Sequence, residues 1–223
     1  MSAKMAAMAL VMAASGYLSG SQRHVVALDL VESRRSTDEQ MATVESDERF
    51  NVSSFIPPIS PHNVAPLLPV AITLVAVNAT AYRPFDEVNY EVVLRNTGKM
   101  AVQVPVSTEH HLFRRSMARL AVASIGLLFT DDLLGIQHFA SESLYGAPSI
   151  KGSLIVLSAN ESMSVRIRGP LTVFPPSGTP RSWLRPVEIK SQFGLYTKDG
   201  SIYGTSVSAN SVQVQLRNEP GRR

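Results

Sequence analysis

The chain has 223 residues, 44% of them hydrophobic and 17% charged, with a formal net charge of +3 and no cysteine. That length holds one sizeable domain plus appendages, or at most two small ones, with enough apolar material for a packed core. Disulfides, thiolate metal sites and cysteine nucleophiles are excluded, and so small a positive charge, with no Lys/Arg run interleaved with aromatics, argues against nucleic acid as a partner.

Residues 1–21 carry one positive charge, Lys4, then an apolar stretch over 5–18, then Ser19, Gly20 and Ser21. A charged start, an apolar segment and a small-residue exit make the layout of a secretory signal. Cleavage is expected near Ser21, with a site after Ser15 as an alternative. The apolar stretch is shorter than the roughly 20 residues that span a bilayer, so membrane contact is expected only through this segment if it is not cleaved. Residues 22–68 turn polar and acidic, then proline-rich (F-I-P-P-I-S-P-H-N-V-A-P-L-L-P). Between positions 29 and 49 there are seven acids against three arginines, and no sustained apolar stripe. This composition predicts a disordered or semi-extended linker with polyproline II character.

The domain is expected over 69–217, followed by a charged tail, 218–223. Residues 70–78, V-A-I-T-L-V-A-V-N, are dense in β-branched residues and predict a first strand. In 88–106, Val88, Tyr90, Val92 and Leu94 alternate with Asn89, Glu91, Val93 and Arg95, the two-residue period of a strand with one buried face. Each inward side chain contributes roughly 1.5 to 3 kcal/mol when fully buried. A one-residue slip would bury Glu91 and Arg95 instead. Asn96, Thr97 and Gly98 interrupt the pattern and Val102, Val104 and Val106 resume it, so two antiparallel strands joined by a tight connection are expected.

Residues 107–117 read as a loop. Residues 117–129 fit a strand and a helix nearly equally, and Gly126 with the strand-rich context favours a strand. Residues 131–135, D-D-L-L-G, predict a turn, and the passage from there to Lys151 reads as irregular. Strands are expected at 154–157 and 163–167, then a loop at 174–180, F-P-P-S-G-T-P. Strands at 187–197 and 202–206 flank the hairpin signal Lys198, Asp199, Gly200, and Val212, Val214 and Leu216 predict a last strand. Seven to nine short strands without a helix make an all-β, two-sheet antiparallel sandwich the expected architecture.

The runs Y-E-V-V-L-R-N-T-G, L-S-A-N-E-S-M-S-V-R-I and S-A-N-S-V-Q-V-Q-L also resemble bacterial immunoglobulin-like domains. The closest in layout are those of the intracellular-proteinase-inhibitor type and the cell-adhesion-related type found in exported proteins. The resemblance covers roughly 69–216 and implies binding or scaffolding rather than catalysis. No stretch matches an inhibitor loop residue by residue, and the insertion at 107–152 departs from a minimal domain.

Catalytic signatures are sparse. There is no G-x-S-x-G, no S-x-x-K, no glycine-rich phosphate loop and no H-E-x-x-H. Adjacent His110 and His111 point to opposite faces if they lie on a strand, so they could share a metal only in a loop, with Asp131, Asp132 and His138 as further ligands. Asp131 and Asp132 read more simply as turn residues, Asp132 as the cap. Neither a cofactor nor a metal is expected. Candidate partner-binding residues are the basic cluster Arg114, Arg115 and Arg119, and Trp183 with Arg181 and Arg185, whose composition is that of an interaction hot spot. A lone tryptophan in a sandwich also commonly plugs the end of the core. Asn51, Asn78 and Asn160 each stand in N-x-S/T.

The expectation is a secreted or periplasmic, non-catalytic immunoglobulin-like domain that binds a protein or glycan partner at the cell envelope. A hydrolase-inhibitor module using the 174–180 loop is the alternative, and a metal-dependent enzyme built on His110, His111, Asp131 or His138 is a third.

Overall fold

In a computed structural model, alternating apolar and polar residues build twelve strands and no helix over the described residues, which are 24–31, 68–108, 121–173, 180, 182–197 and 202–218. In chain order they are β1 (His24–Asp29), β2 (Val70–Val77), β3 (Ala81–Tyr82), β4 (Glu87–Asn96), β5 (Val102–Pro105) and β6 (Ala121–Asp131). Then come β7 (Gly135–Gly146), β8 (Leu154–Leu157), β9 (Ser162–Pro170), β10 (Trp183–Thr197), β11 (Ile202–Val207) and β12 (Val212–Asn218). One sheet has the order β1-β9-β4-β2. The other runs β3-β12-β10-β6-β7, with β11 beside the second half of β10, and β5 pairs β8 in a two-stranded sheet.

The two large sheets share one core. Val88, Tyr90, Val92 and Leu94 of β4 are all buried, as are Met163, Val165 and Ile167 of β9. Facing them are Ile125, Leu127 and Phe129 of β6 and Ile189 and Phe193 of β10. The register expected for β4 is the one observed, and all-β, sandwich-like architecture follows from it.

Several finer expectations are corrected. Pairing is mixed, because β1 runs parallel to β9 and β3 parallel to β12, and twelve strands exceed the seven to nine expected. Residues 24–29, placed in the linker, form β1, where Leu28 and the following Leu30 supply apolar side chains to the core. β4 and β5 are not a hairpin. Both edges of β4 are occupied, by β2 and by β9, and Asn96 turns the chain away. Its buried Nδ2 donates to the carbonyls of Met100 (2.8 Å) and Leu157 (2.9 Å), while Oδ1 accepts from Gly98 N–H at 2.8 Å, which delivers β5 to β8.

The passage after Gly135 is not irregular but the twelve-residue strand β7. A bulge hides its period. Ile125 pairs Glu142 and Leu127 pairs Phe139, so Gly126 stands opposite both Ala140 and Ser141, and Ala140 takes φ +47°. A side chain on Gly126 would lie 2.4 Å from Ser141 Oγ, and one on Gly169 of β9 would lie 2.7 Å from Ala140 Cα. Both glycines leave room for the bulge. At the other margin, Asn210 joins the sheets by using its amide as a peptide group: Oδ1 accepts from Leu74 N–H (3.1 Å) and Nδ2 donates to Leu74 O (2.6 Å).

Candidate functional site

Arg185, a candidate partner-binding residue, is half-buried and tied to Asp131. It sits near the start of β10, and its Nε and Nη2 each lie 2.9 Å from Asp131 Oδ2. The other carboxylate oxygen, Oδ1, accepts from the N–H groups of Leu133 (2.8 Å) and Leu134 (3.0 Å). Asp131, not Asp132, is therefore the capping residue of the D-D-L-L-G turn, and Gly135 closes that turn at φ +71°. Burial pushes the Asp131 carboxyl up, but the Arg185 hydrogen bond and charge, with the two backbone N–H groups, hold it below the usual carboxylate range. A carboxylate so placed stays ionised and has both oxygens engaged, which suits a structural tie better than a proton donor or a metal ligand.

Trp183 is 8% exposed and belongs to the core, so it plugs the end of the sandwich, and its Nε1 has no partner among the described residues. Arg114, Arg115, Arg119, Arg181, His110 and His111 lie outside the described residues, as do 1–21 and 174–179. Asp132 and His138 are exposed. His138 pairs Leu128, three ladder positions from the Asp131–Gly135 pair, roughly 10 Å at the rise of a strand. No group of three His, Asp or Glu able to hold a metal occurs among the described residues.

The feature that sequence reasoning missed is the turn between β3 and β4, at the same end of the molecule. Tyr82 pairs Leu216, and Leu216 pairs Arg185, which places the turn in the row of the Asp131–Arg185 tie. Asp86 N–H donates to Arg83 O at 3.1 Å, so Arg83, Pro84, Phe85 and Asp86 form a β-turn with proline at its second position. Phe85, at the third, has φ +69°. That is the conformation of a type II turn, where glycine or asparagine is the ordinary occupant. A left-handed conformation costs a residue with a Cβ about 1–2 kcal/mol.

The turn is held from all sides. Arg83 N–H donates to Asp86 Oδ2 (2.6 Å), Phe85 N–H to Leu171 O (2.7 Å), and Leu171 N–H to Asp86 O (2.8 Å). Leu171 is fully buried. Behind the turn, the buried Tyr82 hydroxyl donates to Asn78 Oδ1 at 2.9 Å and accepts from Ala79 N–H at 3.0 Å. Burial, opposed by the Ala79 hydrogen bond and joined by the Asp86 charge, raises the Tyr82 phenol above its ordinary pKa. This scaffold presents the Phe85 ring to solvent at 77% exposure. Leaving it there forgoes roughly 1.5–3 kcal/mol of burial. Arg83, Asp86 and Glu87 around it are also exposed.

No protein-family model matches the chain, and no curated protein matches it significantly. Among solved structures, the sporulation control protein from Bacillus subtilis aligns at 14% identity and TM-score 0.34, over 68% of this chain and 50% of that one. The alkylpurine DNA glycosylase AlkC from Pseudomonas fluorescens aligns at 12% identity and TM-score 0.29, over 68% and 31%. A β-glucosidase from Listeria innocua aligns at 10% identity and TM-score 0.30, over 66% and 16%. The chain thus spans half of the first of these and less of the other two. Likeness at this level assigns no activity, and the reading of function rests on the geometry of the turn.

Proposed function

We propose that the chain is an exported, non-catalytic, immunoglobulin-like binding or scaffold domain that engages a protein or glycan partner at the cell envelope through Phe85. The observation that carries this is the coincidence of two costs in one residue: an unfavourable backbone conformation and a solvent-exposed ring. Neither benefits folding, and strain retained by a surrounding hydrogen-bond scaffold is characteristic of residues kept for an interaction. An aromatic fixed on a rigid turn and rimmed by charged residues suits insertion into a protein pocket or stacking on a sugar face, since little entropy is lost on contact. The signal-like order of residues 1–21 supports export, and two facing sheets around one core support the immunoglobulin-like assignment. Fractionation of the native host tests the reading: the protein is expected in the secreted or envelope fraction, and a folded protein confined to the cytosol would overturn it.

A further inference from the structure

We infer that β1 is an exchangeable strand, and that the β9 edge of one copy of this chain accepts residues 24–31 of a second copy. Three observations lead there. First, β1 is the edge strand of its sheet, and it lies parallel to β9 over His24–Asp29, with Asp29 opposite Arg166. Second, its described side chains grip the body at few points. Leu30 is 5% exposed, Leu28 is partly buried and Ala27 is exposed. The Asp29–Arg166 ion pair, 2.6 Å, has both partners about half in water, where such a pair is weak. Parallel pairing is also slightly less stable per residue than antiparallel. Third, the segment 32–67 separates Val31 from Leu68 at the foot of β2, a contour of up to about 120 Å. That length reaches a neighbouring molecule as readily as it reaches back to its own sheet.

Loss of β1 would bare the edge of β9, whose Met163, Val165 and Ile167 are in the core, and would uncover the site under Leu30. The sequence that fits this edge is its own: an apolar strand ending in Asp29, whose Oδ1 accepts from Val31 N–H (3.0 Å) while Oδ2 meets Arg166. An identical strand from a second copy makes the same contacts. Exchange of one element between identical chains therefore needs no new surface, and it competes with the intrachain arrangement as chain concentration approaches the effective concentration of the tethered strand, of order millimolar.

The absence of native cysteine makes the test clean. Facing residues on paired strands lie within disulfide range. Two full-length variants, Asp29→Cys and Arg166→Cys, distinguished by a mass tag, are mixed, unfolded, refolded together over a range of concentrations and oxidised. The expected result is a mixed covalent dimer whose fraction rises with chain concentration. The double variant Asp29→Cys/Arg166→Cys should close within one chain when dilute and between chains when concentrated. Unsubstituted protein refolded at high concentration should give a dimer that survives dilution. The inference is overturned if the mixed dimer fails to form while the double variant closes only within the chain. It is equally overturned if the double variant closes in neither way, since β1 would then not pair with β9. This outcome is independent of Phe85 and of any envelope partner.

Discussion

The hydroxyl of Tyr90, on the central strand β4, crosses the sandwich and lies 2.7 Å from the carbonyl oxygen of Ala140 on β7, to which it donates. That carbonyl belongs to the bulge, where the ladder register shifts, and the same hydroxyl lies 3.3 Å from the Ile125 carbonyl oxygen of β6, so the phenol ties both strands at the bulge. Tyr90→Phe keeps the ring and removes the donor. Removing one partner of a buried hydrogen bond costs roughly 1–3 kcal/mol, and denaturant unfolding of the variant should show a midpoint lowered accordingly, with no change in slope.

The same bulge ranks two glycine substitutions. A methyl on Gly169 meets the backbone of Ala140, which cannot move without disturbing β7. One on Gly126 meets first the Ser141 hydroxyl, which can rotate, and then Ser141 Cβ at 3.2 Å. Overpacking costs about 1–3 kcal/mol, so Gly169→Ala should fall at the upper end and Gly126→Ala below it. Equal losses in thermal or chemical unfolding would count against this account of the bulge.

These residues also mark how far the chain could be read. Val88 to Leu94 was legible because the strand keeps an unbroken two-residue period and four side chains enforce one register. The pairing of β4 with β5 was not, because an Asn-x-Gly connection looks alike whether it closes a hairpin or sends the chain to another sheet, and only the buried partners of Asn96 distinguish the two. β7 was lost to the two residues of its bulge. β1, preceding an acidic and proline-rich stretch, was absorbed into the composition of its neighbours. Arg185 and Trp183 stand out by residue type alone, whereas the structure buries Trp183 in the core and ties the half-buried Arg185 to Asp131. The Phe85 turn left one trace, Pro84 followed by an aromatic where a type II turn would have glycine, and that trace has meaning only once φ is known.

Asp131 makes stability depend on pH in a defined sense. Its carboxyl is held below the usual range in the folded protein, so the unfolded chain takes up the proton first. The stabilisation is complete at neutral pH, begins to fade as pH falls into the ordinary carboxylate range, and is gone once pH passes below the lowered value. Asp131→Asn should be less stable than the parent at pH 7, and the gap should narrow on acidification. Denaturation midpoints at pH 7, 5 and 3 would show it, and a gap that held constant would rule Asp131 out as the source.

Asn210 provides a local test of the closure between sheets. Asn210→Ala removes both bonds to Leu74, leaving the β2 backbone without them at its own bulge, between Leu74 and Ala76. Hydrogen exchange should accelerate at the Leu74 amide by tenfold or more, about 1.4 kcal/mol, while the amides of β4 keep their protection.

The central claim is that Phe85 is retained for contact at the expense of the fold, and a paired measurement on Phe85→Asn addresses it. Asparagine accepts the left-handed conformation and leaves the turn's hydrogen bonds in place. The unfolding free energy should hold or rise, by up to about 1–2 kcal/mol, while capture of an envelope partner from a native membrane or secreted fraction falls by about tenfold. A variant that unfolds more easily than the parent, or that captures as much as the parent does, would contradict the account.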